Sequence, residues 1–128
     1  MADLIERLQK HILPYDDIAP TTEGYWWLAF EGDRTVAFAG LYPSAQVAGR
    51  GYLCRAGVLR SHRGLGLQRR LIHARVRKAR SLGWHSVVTD TQPYNVPSSN
   101  SLIRCGFKLY RPDHLYAGEE TLYWKKDL

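Results

Sequence analysis

Val58-Leu59-Arg60-Ser61-His62-Arg63-Gly64-Leu65-Gly66-Leu67-Gln68 runs from the end of a β-forming segment, through two glycines, into a basic helical pattern. From Leu65 to Leu82, apolar Leu67, Leu71, Ile72, Ala74, Val76, Ala79 and Leu82 recur at helical spacing, and Gly83 ends the run. Residues 51–59 upstream and 86–91 downstream are rich in strand formers, so the order is strand, glycine turn, helix, strand, a βαβ unit. A glycine turn at a helix start leaves backbone N–H groups without partners beside the positive end of the helix dipole. That arrangement suits a phosphate or pyrophosphate, and the expected ligand is a nucleotide-like cofactor.

Outward from this unit, Leu4, Ile5, Leu8 and Ile12 predict a short helix over residues 3–13, and Pro14 follows its end. Residues 14–24 read as a loop, and 25–31 with 34–41 as a hairpin divided by Gly32-Asp33. Past the second strand of the βαβ unit come a loop over 93–97, a short helix over 98–105 closed by Gly106, and strands over 107–111 and 120–126. The fold class is α/β (α+β), with parallel and antiparallel pairing in one mixed sheet. With 128 residues the chain has room for one core and therefore one domain, 1–128.

Net charge is +6, and its distribution is uneven: from Arg34 to Thr89 there is no Asp or Glu but eleven Lys or Arg. Arg60, Arg63, Arg69, Arg70, Arg75, Arg77, Lys78 and Arg80 crowd around the helix, a local positive field that attracts an anionic ligand, whether a phosphorylated cofactor or nucleic acid. Cys54 and Cys105 lack metal-type spacing and read as reduced, packed thiols; the scattered histidines form no ligand cluster, so no metal is expected. No apolar run approaches the roughly 20 residues of a membrane span, and the N-terminus does not read as a secretory signal, so a cytoplasmic location is expected.

The glycines alone do not choose a family. A Walker-type loop is excluded because no Gly-Lys-Ser or Gly-Lys-Thr follows them, and the dinucleotide fingerprint lacks its third glycine and its acidic residue. A second signature decides: Asn95, Ser98 three residues on, and Gly106-Phe107 eleven and twelve residues on. With Val58, Arg63, Gly66 and Gln68, these positions resemble the GCN5-related N-acetyltransferase (GNAT) superfamily, which transfers an acetyl group from acetyl-CoA to an amine. The resemblance covers roughly residues 25–126.

The resemblance implies a splayed parallel strand pair in a mixed central sheet, helices on both faces, and an N-terminal part shortened by the strand that usually precedes the first helix. It implies that acetyl-CoA enters the wedge, its pantetheine amides pairing with backbone groups of Ala56 and Val58. Gly64, Leu65, Gly66, Leu67 and Gln68, with Arg63 and Arg69 at either end, would offer N–H groups to the pyrophosphate, and Asn95 and Ser98 would bind the cofactor's arm. The Val58 N–H would also donate to the thioester oxygen as it becomes an oxyanion. Gln68 stands where the family has Gly or Ala, its side chain expected to project away from the ligand. Leu102 stands where the family often has a Tyr that protonates the leaving thiolate. Asp90, at the end of the second strand of the wedge, is the candidate general base, with Tyr94, Tyr110, Tyr116 or Tyr123 as replacement proton donors.

The acceptor is expected to be a small-molecule or peptide amine, framed by loops carrying Tyr15, Asp16, Asp17, Glu23, His114 and Tyr116. The shortened N-terminus leaves an open sheet edge or one completed by a second copy of the chain, a homodimer. Two rival readings stand beside the enzyme: a degenerate acetyl-CoA-binding protein, and a basic nucleic-acid-binding domain with Trp26, Trp27 or Trp84 stacking bases. Adjacent Trp26 and Trp27 on one strand face opposite ways, so at least one belongs to the core, which argues against nucleic acid as a partner.

Overall fold

The computed structural model describes residues 2–12 and 21–128. In chain order it contains α1 (Ala2–Ile12), β1 (Tyr25–Glu31), β2 (Arg34–Pro43), β3 (Arg50–Val58), a short 3₁₀ turn (Arg60–His62), α2 (Leu67–Ser81), β4 (Ser86–Thr91), α3 (Val96–Arg104), β5 (Lys108–Leu109) and β6 (Leu122–Asp127). Among the described residues the strands form one sheet in the order β1-β2-β3-β4-β6-β5, in which only the β3–β4 pair is parallel. This is the mixed α+β architecture that the alternating patterns predicted.

Helices cover both faces of the sheet. Ile5 and Leu8 of α1 are buried with Phe38 of β2, and Ile12, Trp26 and Leu28 pack around them. On the opposite face Ile72, Val76 and Ala79 of α2 and Leu102 of α3 meet Leu41, Leu53, Val87 and Trp124. Strand alternation distributes the aromatic pair as expected: Trp26 lies on the α1 side and Trp27 on the α2 side. Trp84 packs on the same core as Trp27, so all three rings named as base-stacking candidates serve packing.

The differences from expectation are local. α2 begins at Leu67 instead of Leu65 because Gly66 takes the left-handed conformation (φ +82°) that stops the helix from extending backward. α3 begins at Val96 instead of Ser98: Asn95 is its N-cap, its Oδ1 accepting from the Ser98 N–H at 3.4 Å. The strand predicted over 107–111 is reduced to Lys108–Leu109, since Phe107 turns into the core. Arg75 does not join the basic outer face. It is 3% exposed, on the stripe with Leu71 and Ala79 that α2 turns toward the sheet.

Candidate active site

The parallel strands β3 and β4 pair at three positions, Arg50↔Ser86, Gly51↔Val87 and Tyr52↔Val88, and then separate. Beyond the last pair the buried Thr89 hydroxyl donates to the Leu53 carbonyl at 2.8 Å, a side-chain bond standing in for the next rung. Past it β3 continues to Val58 and β4 to Thr91 with no rung between them, so a wedge opens at their carboxyl ends. Backbone groups along a splayed strand lack one set of ladder partners and are available to an extended ligand.

β3 is also bulged. Its register with β2 passes from Leu41↔Leu53 to Ala39↔Ala56, so Cys54 and Arg55 together face Gly40. The extra residue reverses which face the following side chains occupy. Leu53 belongs to the core under α2, and after the bulge Ala56 and Val58 also turn to the α2 side, against Leu71, while Gly57 faces α1. A Cβ on Gly57 would lie 2.7 Å from Ile12 and 2.8 Å from Phe38, so the close approach of α1 requires glycine there.

After Val58 the chain turns sharply. The Leu59 N–H bonds to the Val36 carbonyl at 2.9 Å, and Arg63 Nε donates to the Val58 carbonyl at 3.2 Å, tying the glycine turn to the strand end. His62 is buried, with Ser61 Oγ 2.7 Å from Nδ1 and Glu31 Oε2 3.3 Å from Nε2. Gly64 and Gly66 both have positive φ, and Gly66 is the N-cap of α2 with no side-chain cap. The first N–H groups of α2 therefore point out of the helix without an internal acceptor.

These parts meet in a cleft of about 570 Å³. Of the residues predicted for the cofactor, Ala56, Val58, Arg63, Gly64, Gly66, Leu67, Gln68, Arg69, Asn95 and Ser98 line it. Leu65 does not; its side chain is 67% exposed at the crown of the turn. The expectation that Gln68 projects away is corrected: its Nε2 donates to Ser98 Oγ at 3.0 Å, bridging α2 and α3 across the cleft. Sequence reasoning missed His62, Gly57, Ser101 and Arg104, which also line it. Ser101 and Arg104 were legible in principle, since they follow Ser98 and Ser101 by three residues on one helix face.

Asp90 does not line the cleft. Alternation from Val87 puts Thr89 and Thr91 on the α2 side and Asp90 on the other, where its Oδ1 accepts from Tyr52 Oη at 2.6 Å. Tyr116 closes over this pair, its ring edge-on to Tyr52 with centroids 5.6 Å apart and its hydroxyl donating to the Thr89 carbonyl at 3.2 Å. Tyr110 and Tyr116 hydroxyls stand 2.8 Å apart, and Tyr123 packs edge-on to Tyr116 at 4.9 Å. Burial pushes the Tyr52 phenol well above its ordinary range, and Asp90 adds to the effect by repelling and hydrogen-bonding against the phenolate. Tyr116 is raised in the same direction, first by burial and then by Tyr110. Both phenols thus hold their protons through the neutral range.

Leu102 is 4% exposed and buried in the core, so no hydroxyl comes from that position. Cys54 and Cys105 are free thiols, both raised by burial, which keeps them protonated and poorly nucleophilic. Among the described residues no cluster of three or more His, Cys, Asp or Glu is placed to hold a metal, and no helix is long and apolar enough to cross a membrane. Tyr15, Asp16 and Asp17 of the expected acceptor loop lie outside the described residues.

Solved structures share this fold. A Bacillus subtilis acetyltransferase in complex with CoA superposes with a TM-score of 0.81 at 17% identity, covering 100% of this chain and 93% of the other. The IAA acetyltransferase from Bacillus cereus gives 0.72 at 15% identity, covering 99% and 87%. The ribosomal-protein-alanine N-acetyltransferase from Brucella melitensis gives 0.68 at 20% identity, covering 80% and 68%. At such identities the likeness establishes the fold alone. No curated protein sequence gives a significant match. The Acetyltransferase (GNAT) family model matches residues 3–107, which span α1, the bulged strand, the glycine turn and both signatures. A match to most of the chain, centred on the segments that build the cleft, means that the chain belongs to the acetyltransferase (GNAT) family of acyltransferases.

Proposed function

We propose that this chain is one acetyltransferase-like domain, 1–128, that moves the acetyl group of acetyl-CoA to a primary amine by direct attack in a ternary complex. The observation that carries this reading is the continuity of the wedge between β3 and β4 with the uncapped start of α2, all within one cleft. The donor set fits a pyrophosphate: backbone N–H groups at a helix start, two glycines with positive φ, and Arg63 and Arg69 beside them. A Cβ on Gly66 would touch only Arg69 Nη2, 3.7 Å away, so the glycine keeps space in front of those N–H groups instead of relieving a clash.

Acetyl-CoA supplies an acetyl group activated as a thioester. The chain's contribution is to hold, orient and adjust charge. Ala56 and Val58 present strand groups to the cleft, and the Val58 N–H is the candidate donor to the thioester oxygen as negative charge grows there. An amine must attack as the free base, because an ammonium has no lone pair. Asp90 is the candidate to receive or relay that proton, approached from the face of the sheet opposite the cleft, with Tyr52 fixing its carboxylate. Tyr52 and Tyr116 are too weakly acidic to protonate a departing thiolate whose thiol has a pKa of about 8.5, so solvent completes that step. The inert thiols of Cys54 and Cys105 favour direct attack over an acetyl-cysteine intermediate.

The acceptor reading is a small-molecule or peptide amine whose cationic form is drawn to Asp90 among the faces of Tyr52 and Tyr116. A second reading, acetyl-CoA binding without turnover, is favoured by one observation: Leu102 is a core residue and offers no proton donor. Titration with acetyl-CoA while following melting temperature, then thiol release with a panel of amines, separates them. The expected result is a rise in Tm that grows with ligand concentration, followed by amine-dependent thiol release. Binding without release would favour the second reading, and no Tm rise at millimolar acetyl-CoA would sink both.

A further inference from the structure

Arg75 is fully enclosed on the inner face of α2, where the spacing from Leu71 and to Ala79 would suit an aliphatic side chain. Its Nε donates to the Leu71 carbonyl one turn back, and its Nη1 donates to the Gly40 carbonyl of β2, each at 3.2 Å. No carboxylate among the described residues pairs with it; the groups that act on its charge are the thiols of Cys54 and Cys105. Desolvation pulls its pKa down to about 10, so it remains a cation at neutral pH. An enclosed cation without a counter-ion opposes stability, and shape alone does not explain it.

Its acceptor residue does. Gly40 stands opposite the two bulged residues of β3, Cys54 and Arg55. A Cβ at Gly40 would lie 2.6 Å from Cys54 Sγ and 2.9 Å from Trp26, so the absence of a side chain makes room for the bulge. The bulge in turn aims Ala56 and Val58 into the cleft. Arg75 therefore reaches from the helix that begins at the glycine turn to the strand residue about which β3 changes face.

We propose that Arg75 is a positioning residue for acetyl transfer: its guanidinium pins Gly40 to α2 and fixes the bulge that aims the Ala56 and Val58 backbone at the thioester. The inference rests on the acetyl-CoA reading given above. Arg75 acts through the strand, and the two anchors at Leu71 and Gly40 need the guanidinium fork, which a lysine ammonium does not reproduce.

Arg75→Met and Arg75→Lys test it with acetyl-CoA labelled with carbon-13 at the thioester carbonyl. Infrared difference spectra of the wild-type complex should show the carbonyl band below its free frequency, because an aligned N–H polarises it. Arg75→Met should keep the wild-type melting temperature or exceed it and bind acetyl-CoA within about threefold. Its carbonyl band should return toward the free position, and amide hydrogen exchange at Ala56 to Val58 should quicken. Arg75→Lys should recover less than half of the band shift. A wild-type band shift retained in Arg75→Met overturns the proposal, as does full recovery by Arg75→Lys. If Arg75→Met does not fold, Arg75→Lys alone decides by its band position and exchange rates. Failure of the wild type to bind acetyl-CoA would instead overturn the functional reading, so the two failures are distinct.

Discussion

Replacing Tyr52 by phenylalanine removes one oxygen, and that oxygen donates the 2.6 Å hydrogen bond to Asp90. A hydrogen bond to a charged group contributes about 1.5–3 kcal/mol, and because Asp90 keeps some exposure we take a loss of about 2 kcal/mol. For 128 residues the unfolding entropy is roughly 0.27 kcal/mol per degree, so Tm should fall by about 7 °C. The tyrosine also has a titration signature. Its folded pKa lies above the unfolded value near 10, so its contribution to stability is present below pH 10 and is lost as pH climbs past it. Tyr52→Phe should flatten the decline of wild-type stability above pH 10 by up to about 1.4 kcal/mol per pH unit.

Catalysis sharpens the same experiment. Asp90→Asn should slow transfer by about a hundredfold or more if the carboxylate handles the amine proton, and Tyr52→Phe by roughly tenfold through loss of orientation. Neither should weaken acetyl-CoA binding, because both residues lie on the sheet face away from the cleft. Since Tyr52 acts through Asp90, the double variant should be no slower than Asp90→Asn. Steady-state rates with acetyl-CoA saturating, set beside calorimetric binding, provide the cycle. Rate losses that simply multiply in the double variant would refute the coupling, and an unchanged Asp90→Asn rate would remove Asp90 from the mechanism.

Gly66→Ala should lower Tm by about 4–7 °C, since a left-handed alanine costs roughly 1–2 kcal/mol and no clash adds to it. It should also weaken acetyl-CoA at least about tenfold, the cost of one lost phosphate contact; equal affinity by calorimetry would take the turn out of the site. Arg63→Glu removes a cation beside the α2 N-terminus and the tie to the Val58 carbonyl, and should weaken binding by about tenfold or more, with less salt dependence than the wild type. Unchanged affinity would show the pyrophosphate site to be elsewhere. Asn95→Ala deletes the N-cap of α3 at a cost of about 1 kcal/mol, read as a Tm drop of about 4 °C by scanning calorimetry. A variant as stable as the wild type would mean that the cap contributes nothing.

The order of elements was legible because each rests on local physics: the Gly32-Asp33 turn splits the hairpin, the apolar spacing of α1 and α2 marks their buried faces, and Gly66 and Gly83 bracket α2. That most residues named for the cofactor gather in one cleft was legible for a similar reason, since glycines at a helix start declare themselves in sequence. Leu65, between the left-handed Gly64 and Gly66, leaves its side chain exposed outside the cleft, which the glycine pattern alone does not reveal. Gln68 escaped because its partner Ser98 is thirty residues away on another helix, and only tertiary packing aims the two at each other.

The same division explains why the surroundings of Asp90 were harder to read than the lining of the cleft. Tyr52 and Asp90 become neighbours only because β3 and β4 run parallel in one register, which places them diagonally on one face. A register is a long-range fact, and a one-residue slip would have sent either side chain to the other face. The bulge at Cys54 and Arg55 is such a slip built into the strand, and no composition rule marks it beyond the glycine at position 40 that makes room for it. Arg75 is the exception that was open to reading. It occupies the buried stripe of α2 by its spacing from Leu71, and a charged residue on an apolar stripe requires a buried acceptor. Counting it with the surface arginines hid a cation that reaches from α2 to Gly40 of β2, opposite the bulge of β3.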